Sequence, residues 1–231
     1  MAGSQERTLA GGAQMPEPTL VEGTVRRSAH ARSPQVQELL RHLEAEGFDG
    51  APRPLGYDDQ GREVVSFIEG DVLDAPPYRL SDACLVSAAH LVRRFHDAAA
   101  TSPLRGDAET VCHGDLGPHN TVFRNDRAIA IIDWSETVAP GSRAEDFAHA
   151  VWCFADLIEP DVPIKAQARA ADLMCAEYPG MTPAIVVDEL AARFLRARDR
   201  NAATGNARPV AVFERLLQWL DEHGDQIVSG G

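Results

Sequence analysis

The stretch VCHGDLGPHNTVF, residues 111–123, sets two histidines, an aspartate and an asparagine among glycines and a proline, between an apolar lead-in and a β-branched exit. Such crowded polarity in a turn whose flanks read as buried strand needs a chemical reason. Downstream, Thr121 to Arg124 and Arg127 to Asp133 read as a hairpin turning at Asn125-Asp126. In that register Asn120 faces Ile131 and Asp133 lies across from Gly117-Pro118; a three-residue turn shifts the pairing by one. Either way Asp133 arrives beside the loop that carries Asp115 and Asn120.

Two carboxylates and a carboxamide converging in this way form an oxygen-rich site of the kind Mg²⁺ prefers, and Mg²⁺ is usually completed by substrate phosphates. The arrangement points to phosphoryl transfer. One Asp orients and deprotonates the attacking hydroxyl, while Asn and a second Asp hold metal against the phosphates.

On these residues the chain resembles a known family. His113-Gly114-Asp115-Leu116, followed after three residues by Asn120, is similar to the catalytic loop of protein kinases with Gly114 where Arg is usual, a variant typical of the aminoglycoside phosphotransferase and choline kinase-like family. Ile131-Ile132-Asp133-Trp134 resembles that family's metal-binding segment. The resemblance implies an α+β, two-lobe protein kinase-like fold with an abbreviated N-terminal β lobe and a mainly helical C-terminal lobe. It implies Asp115 as catalytic base, His113 as the brace of the loop, and Asn120 and Asp133 as Mg²⁺ ligands. It also implies ATP, or GTP, as phosphoryl donor. Gly114 leaves no side chain to read a phosphorylated activation loop, so constitutive activity is expected. The segment EVVSFIEG resembles the family's hinge strand, where the main chain of Ser66 to Ile68 would meet adenine, and Asp146 in PGSRAEDFAHAVW would anchor a helix beneath the site.

The small lobe departs from that pattern. The family's phosphate-binding strand Lys has no counterpart, since the only Lys in the chain is Lys165. Arg27 is the first candidate for the phosphate contact and Arg26 the second, because adjacent strand residues face opposite sides. Glu38 on the following helix is the candidate partner for that Arg. A glycine loop, if present, is confined to Gly11-Gly12.

The remaining chain reads as ordinary local structure. Residues 1–18 are small, polar and rich in Pro and Gly, as in a flexible lead-in. Leu20 to Arg27 reads as a strand region broken at Gly23. Ser33 supplies a capping hydroxyl before a helix running from about Pro34 to Glu46, with Val36, Leu39, Leu40 and Leu43 on one face, and a hairpin turns about residues 58–61. Ser81 caps a helix over Asp82 to Ala99, and four more helices are expected near 143–157, 164–177, 183–200 and 208–223. The partition is a nucleotide-binding lobe, 1–70, and a helical lobe, 71–231, with catalytic loop and acceptor site.

Composition narrows the partners. Of 231 residues 35 are acidic and 22 basic, a net charge of −13 with no basic run, which disfavours binding to nucleic acid or an anionic membrane. The four cysteines have neither metal-ligand nor disulfide-framework spacing, and no signal or spanning segment appears, so the cytoplasm is the expected compartment. The acceptor is a small molecule bearing a hydroxyl, an aminoglycoside-like antibiotic or a metabolite. Glu145, Asp156, Glu159, Asp161 and Glu177 could line an acidic acceptor pocket, and solvated helix faces explain them equally. Two further readings stand beside this one: a silent, nucleotide-binding pseudokinase, motivated by the missing Lys, and a kinase for a peptide hydroxyl in natural-product assembly. A transition-metal hydrolase using His113, Asp115, His119 and Asp133 would leave Asn120 unused. His42, His90 and His96 read as ordinary surface or core-edge residues on helices.

Overall fold

A computed structural model describes residues 7–9, 17–135 and 137–230. The expected glycine loop at Gly11-Gly12 lies outside the described residues. Among those described, β1 (Arg7–Thr8), β2 (Thr19–Val21) and β3 (Thr24–Arg27) precede helix α1 (Ser33–Ala45), and β4 (Pro54–Tyr57) and β5 (Glu63–Ser66) follow it. These strands make one antiparallel sheet in the order β1-β2-β3-β5-β4. The expected break at Gly23 is a tight turn: Glu22 and Gly23 both have positive φ, the geometry of a two-residue hairpin, and β2 pairs back on β3. Ser33 is the first helical residue rather than the cap of α1. Arg32 occupies the cap position, and the Ser33 hydroxyl accepts from the His30 N–H.

Beyond the sheet the chain is mainly helical: α2 (Asp82–Ala99), α3 (Arg143–Phe154), α4 (Ile164–Ala176), α5 (Pro183–Ala203) and α6 (Ala207–Val228). The Ser81 side chain accepts from Cys84 N, as its place before α2 predicts. Val36, Leu39, Leu40 and Leu43 of α1 join one continuous core with Leu85, Val92 and Phe95 of α2 and Phe147 and Val151 of α3. That shared core holds the sheet side and the helical side in register. None of the described helices is long and apolar enough to cross a membrane.

Among the described residues, four short strands lie between α2 and α3. β6 (Thr110–Cys112) pairs with β9 (Ala139–Gly141), and β7 (Thr121–Phe123) pairs with β8 (Ala128–Ile131). Asn125 and Asp126 are the turn residues, both at positive φ, and Arg124 and Arg127 exchange main-chain hydrogen bonds across them. The expected register holds at Phe123 opposite Ala128. A bulge then shifts it by one, so Thr121 faces Ile131, and Ile132 N–H donates to Asn120 O at 2.8 Å. Asn120 is thus one residue closer to Asp133 than the unbulged hairpin would place it.

Candidate active site

The loop between β6 and β7 is held by its own polar groups. Asn120 Nδ2 donates to Asp115 O at 2.8 Å and to Asp115 Oδ2 at 3.0 Å, and the Thr121 hydroxyl donates to Gly117 O at 2.9 Å. The Asp115 carboxylate, half exposed, also faces two imidazoles, with His119 Nε2 at 3.6 Å and His149 Nε2 at 3.4 Å from Oδ1. His119 first and then His149 hold the Asp115 carboxyl well below the usual carboxylate range, against burial that would raise it. Asp115 is therefore an anion with one oxygen turned to Asn120 and the other to two rings.

His113 is fully buried. Its Nε2–H donates to Ile132 O at 3.0 Å, and its ring packs edge-on against Trp134 with centroids 4.9 Å apart. Burial is the largest influence on its pKa and pushes it below the ordinary histidine value, so the ring is neutral. Its contacts tie the loop to the segment before Asp133. Trp134 is also buried and packs against Phe95 of α2, closing the underside of the site.

Asp133 leaves β8 with φ of +59°, which turns its carboxylate out of the hairpin with about half its side chain exposed. Arg27 meets it there: Nη1 lies 3.6 Å from Asp133 Oδ1, and Nη2 donates to Trp134 O. Arg26, on the other face of β3, pairs with Asp58 at 3.7 Å. Glu38 is exposed and does not support Arg27. Glu63, fully buried on β5 and opposite Arg27 in the sheet, does so through Oε2 at 3.1 Å, while Gln37 of α1 donates to its other oxygen. A strand partner replaces the helix partner because cross-strand neighbours meet without reaching out of the sheet. At the hinge-like strand, Ser66 commits its N–H to Arg53 O and its hydroxyl to Arg53 N, and Phe67 N–H donates to Gly23 O. Ile68 has no main-chain hydrogen bond among the described residues.

Beneath the loop, Asp146 in the first turn of α3 accepts from His113 N and Gly114 N, both at 2.8 Å, and from His96 Nε2 at 3.1 Å. His96 is corrected from a surface or core-edge residue to a fully buried one that links Asp146 to the Tyr178 hydroxyl, 2.9 Å from its Nδ1. Its position on the inner face of α2, with Phe95 and Ala99, was the available signal. His149, 6% exposed, was not singled out in the sequence. It lies three residues after Asp146, nearly one helical turn on, and that spacing is what aims both at the loop.

Gly114 has φ of +81°, and a Cβ there would lie 2.6 Å from Thr137 O. The position therefore excludes Arg sterically, as well as lacking its charge. Gly114→Ala is expected to destabilise the fold by about 1–3 kcal/mol, read as a lower denaturation midpoint against an Ala substitution at an exposed helical site.

The residues available for a metal are oxygen donors. With Nδ2 of Asn120 committed to Asp115, its side-chain oxygen is the end left for a cation, and the main-chain hydrogen bond from Ile132 to Asn120 sets the backbone of Asn120 beside the residue that precedes Asp133. No group of three or more His, Cys, Asp or Glu among the described residues could hold a metal ion. This donor set fits Mg²⁺ completed by phosphate oxygens and gives no support to a histidine-rich hydrolase centre.

Comparison with known proteins agrees with this geometry. Residues 104–184 match a family described as phosphotransferase enzymes. A trifolitoxin immunity protein from Rhizobium leguminosarum bv. trifolii is 34% identical over 156 residues, which span 61% of this chain and 59% of that protein. This chain thus matches less than two thirds of that relative's length. The ADP-bound crystal structure of aminoglycoside phosphotransferase APH(2'')-Ib superposes with a TM-score of 0.60 at 13% identity, over 98% of this chain and 96% of that one. A choline/ethanolamine kinase family protein from Mesorhizobium loti gives 0.59 at 16% identity, over 99% and 89%. At these identities the structural likeness establishes a shared fold.

Proposed function

We propose that the chain is a member of the aminoglycoside phosphotransferase and choline kinase-like family and that it moves the γ-phosphoryl group of ATP to a hydroxyl of a small molecule. The observation that carries this reading is the meeting of Asp115, Asn120 and Asp133 at one bulged hairpin, with Arg27 reaching across from the sheet. In this reading residues 1–70 are the nucleotide lobe and 71–231 the acceptor lobe. The main chain of Ile68 takes adenine, and Arg27, aligned by Glu63, takes a phosphate.

Asp115 accepts a hydrogen bond from the acceptor hydroxyl and directs its oxygen at the γ-phosphorus. The new O–P bond forms as the bond from phosphorus to the β-bridging oxygen breaks, and ADP leaves with that electron pair. The hydroxyl proton passes to Asp115. Asn120 and Asp133 would hold a Mg²⁺, which would supply charge neutralisation on the transferring group. Arg27 supplies fixed positive charge from the sheet side, with the geometry of a fork rather than of a point charge.

The test uses calorimetry and ADP release together. Wild-type protein is expected to bind ATP more tightly with Mg²⁺ than without it, and Asp133→Ala to lose that Mg²⁺-dependent gain. Wild-type nucleotide affinity in the variant would remove Asp133 as a metal ligand. Likeness to an immunity protein, with the absent strand Lys, favours one second reading: a nucleotide-binding module that acts without turnover. Mg²⁺-dependent nucleotide binding with no ADP formed from any acceptor would select it.

A further inference from the structure

Arg193 of α5 brings its guanidinium to the catalytic loop, where Nη2 donates to Gly114 O at 3.1 Å. It is half-buried, and no carboxylate pairs with it among the described residues. Most of its N–H donors are therefore uncommitted. It lines a cavity of about 280 Å³ with Gly114, Thr137, Gly141, Glu145 and Asp146. Both carboxylates in that wall are already engaged. Asp146 takes three hydrogen bonds from the loop and His96, and Glu145 pairs with Arg196 at 2.6 Å. Arg193 is the charged side chain of that wall left without an ionic partner, beside the Glu145 Oε2 that Arg196 does not take.

A second observation points the same way. His149 of α3 is more than nine-tenths buried, yet neither ring nitrogen has a hydrogen-bond partner. Its Nε2 lies 3.4 Å from Asp115 Oδ1, and Arg193 is close enough for its charge to add to the effect of burial in lowering the imidazole's pKa. Arg193 and His149 thus approach the loop around Asp115 from two helices, Arg193 with most of its N–H groups free and His149 with no partner at Nδ1 and its Nε2 beside Asp115. Two of the acidic residues that might have made a cation pocket are engaged elsewhere. Glu177 pairs with His90, and Asp156 accepts from Tyr78 N and Arg79 N.

An ammonium group brought into this space would meet an unpaired like charge. A carboxylate would gain a charge-assisted, fork-shaped partner. We propose that this is an anion subsite: the acceptor carries a carboxylate that Arg193 holds while its hydroxyl rests on Asp115. The inference rests on the phosphotransfer reading and adds the substrate class, one that the chain's net charge of −13 does not foretell.

The experiment titrates the full chain, with Mg²⁺ and ADP present, with 3-hydroxypropionate and 4-hydroxybutyrate and with their primary amides. ADP release from ATP is measured with the same compounds and with choline. The carboxylates are expected to bind saturably and at least about tenfold more tightly than the amides, as a charged hydrogen bond allows. Arg193→Gln removes that preference, and Arg193→Lys, keeping the charge, restores part of it. Melting temperatures confirm that each variant is folded. Equal affinity for acid and amide, no saturation by either acid at about 10 mM, or a preference unchanged in Arg193→Gln would overturn the subsite. Arg193-dependent carboxylate binding with no ADP from any acceptor would leave the subsite standing and remove the phosphotransfer reading. ADP formed from choline but from neither acid, with Arg193→Gln indistinguishable from wild type, would do the reverse.

Discussion

Asp115→Asn is expected to lower turnover by about 10²–10⁴-fold, with ATP affinity largely retained. Asn keeps the shape and can still face Asn120 and the two imidazoles, but it cannot take the hydroxyl proton. The comparison is steady-state ADP release beside calorimetric ATP binding. Turnover equal to wild type would remove Asp115 from the mechanism, and lost ATP binding would make its role structural. The anion is preformed, because His119 and His149 hold the carboxyl well below the usual range. The pH–rate profile is therefore expected to show no acid limb from Asp115 in the ordinary carboxylate region.

Asp146→Asn is expected to destabilise the protein by about 3 kcal/mol, the low end of what breaking a buried charged pair costs. The buried carboxylate accepts from two loop N–H groups and from His96, and an amide offers one acceptor and a misplaced donor. For a chain of this length that corresponds to a fall in melting temperature of about 6–12 °C. A fall no larger than that of a surface Asp→Asn control would show that the loop is held without Asp146. Activity should fall further than stability alone explains, since His113 and Gly114 lose their anchor.

Acid sensitivity follows from the same contacts. Burial lowers the pKa of His113 and His149, so each contributes stability above the unfolded histidine value of 6.5 that is lost as pH falls through its lower folded value. For Asp146 burial is the largest influence and raises the pKa, but the hydrogen bonds from His96 and the Gly114 N–H leave it lowered on balance. Its contribution is present above the unfolded value of 3.8 and is lost below it. Unfolding midpoints should therefore begin to decline below about pH 6.5, ahead of the carboxylate range.

Much of this was legible along the chain because its causes are local. Helical spacing marked α1 and α2, Ser81 marked a cap, and Asn125-Asp126 marked the turn that delivers Asp133. The bulge was not legible: one extra residue in a strand depends on what packs across from it, here the Asn120 carbonyl meeting Ile132 N–H. The same holds for Ser33, whose hydroxyl serves His30 instead of the helix end. At the site, Asp115, Asn120 and Asp133 announced themselves by spacing. His149 and Arg193 sit on helices as single polar residues that nothing in their neighbours marks, and His96 was marked only by its place on the apolar face of α2 with Phe95 and Ala99.

By itself, the sequence determined the polar loop over residues 113–120, the turn behind it and the helices around it, because turn chemistry and helical periodicity act over a few residues. Only the tertiary structure decided that Arg27 rather than Arg26 turns to Asp133, that Glu63 rather than Glu38 aligns it, and that Arg193 reaches Gly114 from 79 positions away. Those choices depend on which faces the core buries, and burial is settled by all the elements packing at once.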